Sequence, residues 1–126
     1  MERAKQFSEA RYVSLETLRK SGVAVRTTVW VVEDGGVLYV RTGPRSGKVK
    51  RIRRNPRVRI AQTDLRGSIK GNWEDGLARF VIGDDAERIL GLFRRKYGLQ
   101  IRMLGWLARI TRSRRAQMVV LGIELT

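Results

Sequence analysis

Residues 22–42, GVAVRTTVWVVEDGGVLYVRT, constrain the fold more than any other stretch of the chain. In an extended strand Val25, Thr27, Val29 and Val31 fall on one face, and Arg26, Thr28 and Trp30 fall on the other. Glu33-Asp34-Gly35-Gly36 then supplies the acidic and glycine residues of a tight turn, and 37–42 runs back. This is a β-hairpin signature, and it commits the chain to a sheet.

Further strands follow. RVRIAQTDL (57–65), LARFVI (77–82) and AQMVVLGIEL (116–125) read as extended. Between the hairpin and the next strand, GPRSG (43–47) breaks the sheet. Ser46 there can cap a short helix, GKVKRIRRN, on which Val49 and Ile52 form a narrow apolar stripe. Pro56 ends that helix by steering its predecessor out of the helical region.

DDAERILGLFRRKYG (84–98) is predicted helical: Asp84 and Glu87 have capping-box spacing, Ala86, Ile89, Leu90, Phe93 and Tyr97 line one face, and Gly98 closes it. LQIRMLGWLARITR (99–112) reads as a second helix. No repeat or linker divides the 126 residues, so 1–126 is expected to be one domain. The outline is α+β: antiparallel strands, a basic helix inserted midway and a helical pair before the last strand. A small closed barrel would bury such a sheet and remove its edges.

Charge narrows the function. Lys and Arg number 27 against 12 Asp and Glu, a formal net charge of +15. Residues 41–60 hold nine of those cations and no carboxylate. Basicity on this scale points to a polyanionic partner: nucleic acid, an anionic lipid surface, or a ligand carrying phosphates and carboxylates.

The chain has no Cys and no His, which excludes disulfides, thiolate catalysis, Ser-His triads and cysteine metal clusters. No metal site is expected and no catalytic residue is assigned. The N-terminus lacks a signal-peptide core and no apolar run reaches membrane-span length, so a cytoplasmic protein is expected.

Within the basic stretch, Ser46 and Gly47 place free backbone N–H groups at a helix start, where the dipole favours an anion. Lys48 follows in the first turn, while Lys50, Arg51 and Arg54 point away from the Val49–Ile52 stripe. An isolated Ser-Gly-Lys is more often a solvated basic turn than a binding site.

The wider pattern is more specific. Thr17, Arg19 and Gly22 precede the hairpin, whose return strand ends in Thr42. Ser46-x-Lys48 then opens the helix, and Asn55-Pro56-x-Val58 opens the next strand. In this order the chain resembles the pyridoxamine 5'-phosphate oxidase-like split-barrel superfamily, and within it the deazaflavin (coenzyme F420)-dependent group. The resemblance implies a six-stranded antiparallel split β-barrel that dimerises with the cofactor between subunits.

By the same resemblance, Arg26 and Thr28 meet the ribityl-phosphate and ring edge, and Arg41 and Thr42 lie beside the phosphate. Ser46 and Lys48 bind the phosphate, which Gly47 between them lets approach the backbone, and backbone groups from Thr27 to Trp30 run along the ring. Nine cations exceed what FMN needs, whereas the deazaflavin coenzyme adds an oligoglutamate tail that Lys50, Arg51, Arg54 and Arg45 could follow.

The expectation is therefore an F420-binding oxidoreductase that passes hydride to a small organic substrate. FMN as cofactor, a non-catalytic cofactor carrier and a basic nucleic-acid-binding module are the alternatives. Residues 93–115, basic and amphipathic, also fit a membrane surface, although a helix pair covering the core is the commoner use of such a pattern.

Overall fold

The computed structural model describes residues 2–99 and 118–126. After a short helix α1 (Glu2–Lys5), strands β1 (Tyr12–Leu18), β2 (Ala24–Val29), β3 (Val32–Asp34) and β4 (Val37–Thr42) lead into helix α2 (Gly47–Arg54). Strands β5 (Arg57–Thr63) and β6 (Glu74–Val81) precede helix α3 (Gly83–Lys96), and β7 (Val119–Leu125) ends the chain. All seven strands form one antiparallel sheet in the order β2-β1-β5-β6-β7-β4-β3.

The architecture is α+β as expected, with two differences. Among the described residues there are seven strands rather than six, and the sheet stays open, with β2 and β3 as its edges. Both follow from a break at Trp30–Val31 inside the run predicted as a single strand. The backbone of Val31 turns from strand partners to side chains of α3: its N–H donates to the Tyr97 hydroxyl at 3.1 Å, and its carbonyl accepts from Lys96 Nζ at 2.8 Å. A backbone satisfied in this way leaves the ladder.

Several other local signals hold. Gly35 and Gly36, with φ of 61° and 85°, form the two central positions of the β3–β4 turn, which residues with a Cβ rarely adopt. In β2, Arg26 and Thr28 are exposed while Val25, Thr27 and Val29 are half-buried, the predicted alternation. Val49 and Ile52 are the buried residues of α2. Asn55 is already extended before Pro56.

The capping box does not form: α3 begins at Gly83 after Ile82, with no side-chain cap, and Asp84 and Asp85 sit inside its first turn. There their charges still face the positive end of the helix dipole. The predicted helix 99–112 lies, beyond Leu99, outside the described residues.

The core has two parts because both sheet faces are covered. On one side Val13, Leu15, Leu38, Val40, Ile60, Leu121 and Ile123 meet Ile52 of α2 and Phe7 from the N-terminal segment. On the other, Tyr39, Val32, Val81 and Val120 receive Ile89 and Phe93 from α3 and Tyr97 from its C-cap. Each such side chain contributes about 1.5–3 kcal/mol by leaving water. Tyr39 is thus a packed strand residue.

Candidate functional site

A cleft of about 270 Å³ lies where the sheet fails to close, lined by Thr28, Val29, Trp30, Arg41, Thr42 and Lys48. The end of β2 and the Trp30 bend form one wall. The end of β4 forms the other, and the first turn of α2 supplies Lys48. Since among the described residues β2 pairs only with β1, its outer edge offers backbone groups that no described strand pairs.

Five of the eleven expected site residues, Thr28, Trp30, Arg41, Thr42 and Lys48, therefore meet at one place. Ser46 adjoins them: its Oγ accepts a 3.0 Å bond from Thr42 Oγ1, and at the N-cap of α2 its side chain bonds no helix N–H group, while its carbonyl accepts from the Val49 N–H at 3.2 Å. The amides ahead of Val49 remain available to a ligand.

The other five are placed elsewhere or differently engaged. Arg26 bonds the buried carboxylate of Glu16 at 2.9 Å and packs over Trp73 at 4.7 Å. Thr27 faces the opposite side of β2, where its buried Oγ1 has no hydrogen-bond partner among the described residues. Beside Gly47 lies the Arg51 guanidinium, 2.6 Å from where a Cβ would stand. Arg51 donates to Thr17 Oγ1 at 2.6 Å, and Lys50 is exposed.

The cations at the cleft carry an electrostatic cost. Burial pulls Arg41 below the ordinary guanidinium value. Burial first, and the charge of Arg51 second, lower Lys48. Arg51 is lowered in turn by burial, then by Arg19 and Arg54. Among the described residues none of Arg41, Lys48 and Arg51 has a carboxylate partner. Residues 100–117 contain no Asp or Glu that could provide one. An anion bound here relieves both the burial and the mutual repulsion.

Two residues behind the cleft escaped the sequence reading. The Tyr97 ring stacks on Trp30 with centroids 4.3 Å apart and planes within 2°. Its hydroxyl bonds Val31 and the Arg11 carbonyl, the latter at 2.8 Å. Lys96 Nζ donates to Ala10 O at 2.6 Å and to Val31 O at 2.8 Å. Together they hold Trp30, over which the Arg41 guanidinium lies at 5.1 Å. The periodicity of α3 marked Tyr97 as a core residue, and nothing local indicates that it braces a segment 66 residues away.

Neither a protein-family description nor a curated protein sequence matches the chain. Solved structures do match. The heme storage protein HutZ from Vibrio cholerae is 16% identical, with a TM-score of 0.73 over 99% of this chain and 89% of that one. An F420 reductase is 18% identical, with a TM-score of 0.65 over 97% and 92%. A Listeria innocua protein provisionally described as a pyridoxamine 5'-phosphate oxidase is 18% identical, with a TM-score of 0.61 over 97% and 86%.

The fold is that of the pyridoxamine 5'-phosphate oxidase-like split-barrel proteins. Among the described residues no helix is long and apolar enough to cross a membrane, and no acidic cluster could hold a metal ion.

Proposed function

We propose that the cleft binds the phosphate and ring of a flavin-type cofactor, coenzyme F420, and that the protein is an oxidoreductase passing hydride to a small organic substrate. The observation that carries this reading is the pair Arg41 and Lys48: two half-buried cations without a carboxylate partner among the described residues, beside a braced tryptophan. Charge-assisted bonds from Lys48 and the α2 amides to one phosphate contribute about 1.5–3 kcal/mol each.

The cleft fits the phosphorylated end of such a ligand. The unpaired edge of β2 offers backbone donors and acceptors along a ring. When bound, the reduced deazaflavin supplies the hydride; the chain's own residues bind it, orient it and exclude water. At about 270 Å³ the cleft is smaller than most ligand pockets, which run from about 300 to 1,000 Å³. It therefore covers only part of the cofactor, and a second copy of the chain supplies the remaining wall in this reading.

Preference for F420 over FMN rests on the cations beyond Lys48. Arg51, with Arg19 and Arg54 close enough to lower it, continues the positive track away from the cleft toward a tail of carboxylates. Titrating the protein with FMN and with F420 of graded tail length tests both levels. Lys48→Ala and Arg41→Ala are expected to weaken either cofactor at least tenfold, and unchanged affinities refute the site. Longer tails are expected to bind more tightly; equal affinity at every length refutes the choice of F420.

A further inference from the structure

A second cavity, of about 610 Å³, lies on the sheet away from the cleft and shares no lining residue with it. Strand register orders its floor into two cross-strand rows. Glu16 of β1 pairs with Arg59 of β5, which pairs with Asp75 of β6. Two residues along, Leu18 ends β1 and Arg57, which pairs with Leu77, begins β5, and all three line the cavity.

The first row is electrically closed. The buried Glu16 carboxylate accepts bonds of 2.7 and 3.0 Å from Arg59 and one of 2.9 Å from Arg26. Both guanidiniums pack on Trp73, at 4.7 Å for Arg26 and 4.8 Å for Arg59. The second row is open. Arg57 is exposed and has no carboxylate partner among the described residues. It stands between two leucines, of which Leu77 is 46% exposed.

An uncompensated guanidinium between apolar side chains, in a concavity of ligand size, matches a molecule with one negative charge and a hydrocarbon body. Glu16 and Asp75 in the adjoining row disfavour a second negative charge. We propose that this groove is a second ligand site, taking an amphiphilic monocarboxylate: its carboxylate pairs with Arg57 and its chain lies over Leu18 and Leu77. A ligand on this floor lies against Arg59 and so alters the surroundings of Trp73.

Calorimetric titration with dodecanoate below its micellar concentration, with tryptophan emission followed in parallel, tests the assignment. Saturable binding is expected, with Arg57→Gln weakening it at least tenfold and dodecanol binding at least tenfold more weakly than dodecanoate. Lys48→Ala and Arg41→Ala are expected to leave it unchanged, which separates this site from the cofactor cleft whether or not that cleft binds F420. Arg57 is exposed, so Arg57→Gln is expected to fold; a thermal melt checks this.

Equal binding of dodecanol, or full affinity in Arg57→Gln, overturns the proposal. So does a wild-type dimer that binds no dodecanoate and that Leu77→Asp splits into folded monomers, because the groove is then an interface between copies.

Discussion

Removing one hydroxyl, in Tyr97→Phe, probes the join between α3 and the Trp30 bend. The ring is retained, so the stack on Trp30 at 4.3 Å and the packing on Phe93 survive. What disappears is the acceptor of the Val31 N–H at 3.1 Å and the donor to the carbonyls of Arg11 and Val31 at 2.8 and 3.0 Å. Val31 is fully buried, so its amide loses its partner with no water to replace it. An unsatisfied buried group costs about 1–3 kcal/mol.

Domains unfold with roughly 2.1 cal/mol/K of entropy per residue, so for this chain a 2 kcal/mol loss lowers Tm by about 8 °C. Thermal unfolding followed by circular dichroism measures the shift, and cofactor titration of the same variant measures its effect on Trp30. A Tm within about 2 °C of wild type refutes the bracing role. A large Tm loss with unchanged cofactor affinity retains the brace and removes Trp30 from the site.

Further expectations concern pH and charge. Glu16 lies below its ordinary carboxylate value, chiefly through its hydrogen bond to Arg59 and then through Arg26. The stability it contributes is present above its unfolded value and is lost as pH falls through the lower folded value. Glu16→Gln is expected to cost about 2–3 kcal/mol at neutral pH, below the usual 3–5 for a broken buried pair because both arginines reach solvent. Urea melts at pH 7 and pH 3 check this, and the deficit is expected to shrink at the acid end. Lys96, lowered to about 8 mainly by burial, is charged at a cost below that pH. Stability is therefore expected to rise between about pH 8 and the ordinary lysine value, where the unfolded chain holds the extra proton. A Lys96→Met variant with the same pH slope contradicts this origin.

Much of the fold is legible because its signals are short-ranged. The alternation along β2, the two glycines of the β3–β4 turn, the Val49–Ile52 stripe and the stop at Pro56 each arise among residues at most four apart. The Arg41–Thr42–Ser46–Lys48 corner is compact in sequence for the same reason, and these residues stay together in space. Arg26 illustrates the limit. Its place on the exposed face of β2 is readable, yet that face is long enough to serve two neighbourhoods. Strand register sets Glu16 directly opposite Arg26, so the guanidinium is drawn to a buried carboxylate and away from the cleft.

The sequence by itself determined most of the extended and helical segments after residue 22, though not β1, and where the uncompensated cations concentrate, because periodicity and charge need no knowledge of distant neighbours. Tertiary structure decided the partners. Tyr97 and Lys96 take the backbone of Val31 and split a predicted strand, Thr17 engages Arg51, and the sheet ends on open edges that leave a cleft between β2 and β4. Those outcomes depend on register and chain closure across dozens of residues. A hydrogen bond's few kcal/mol are realised only once the rest of the fold has brought its two ends within about 3 Å.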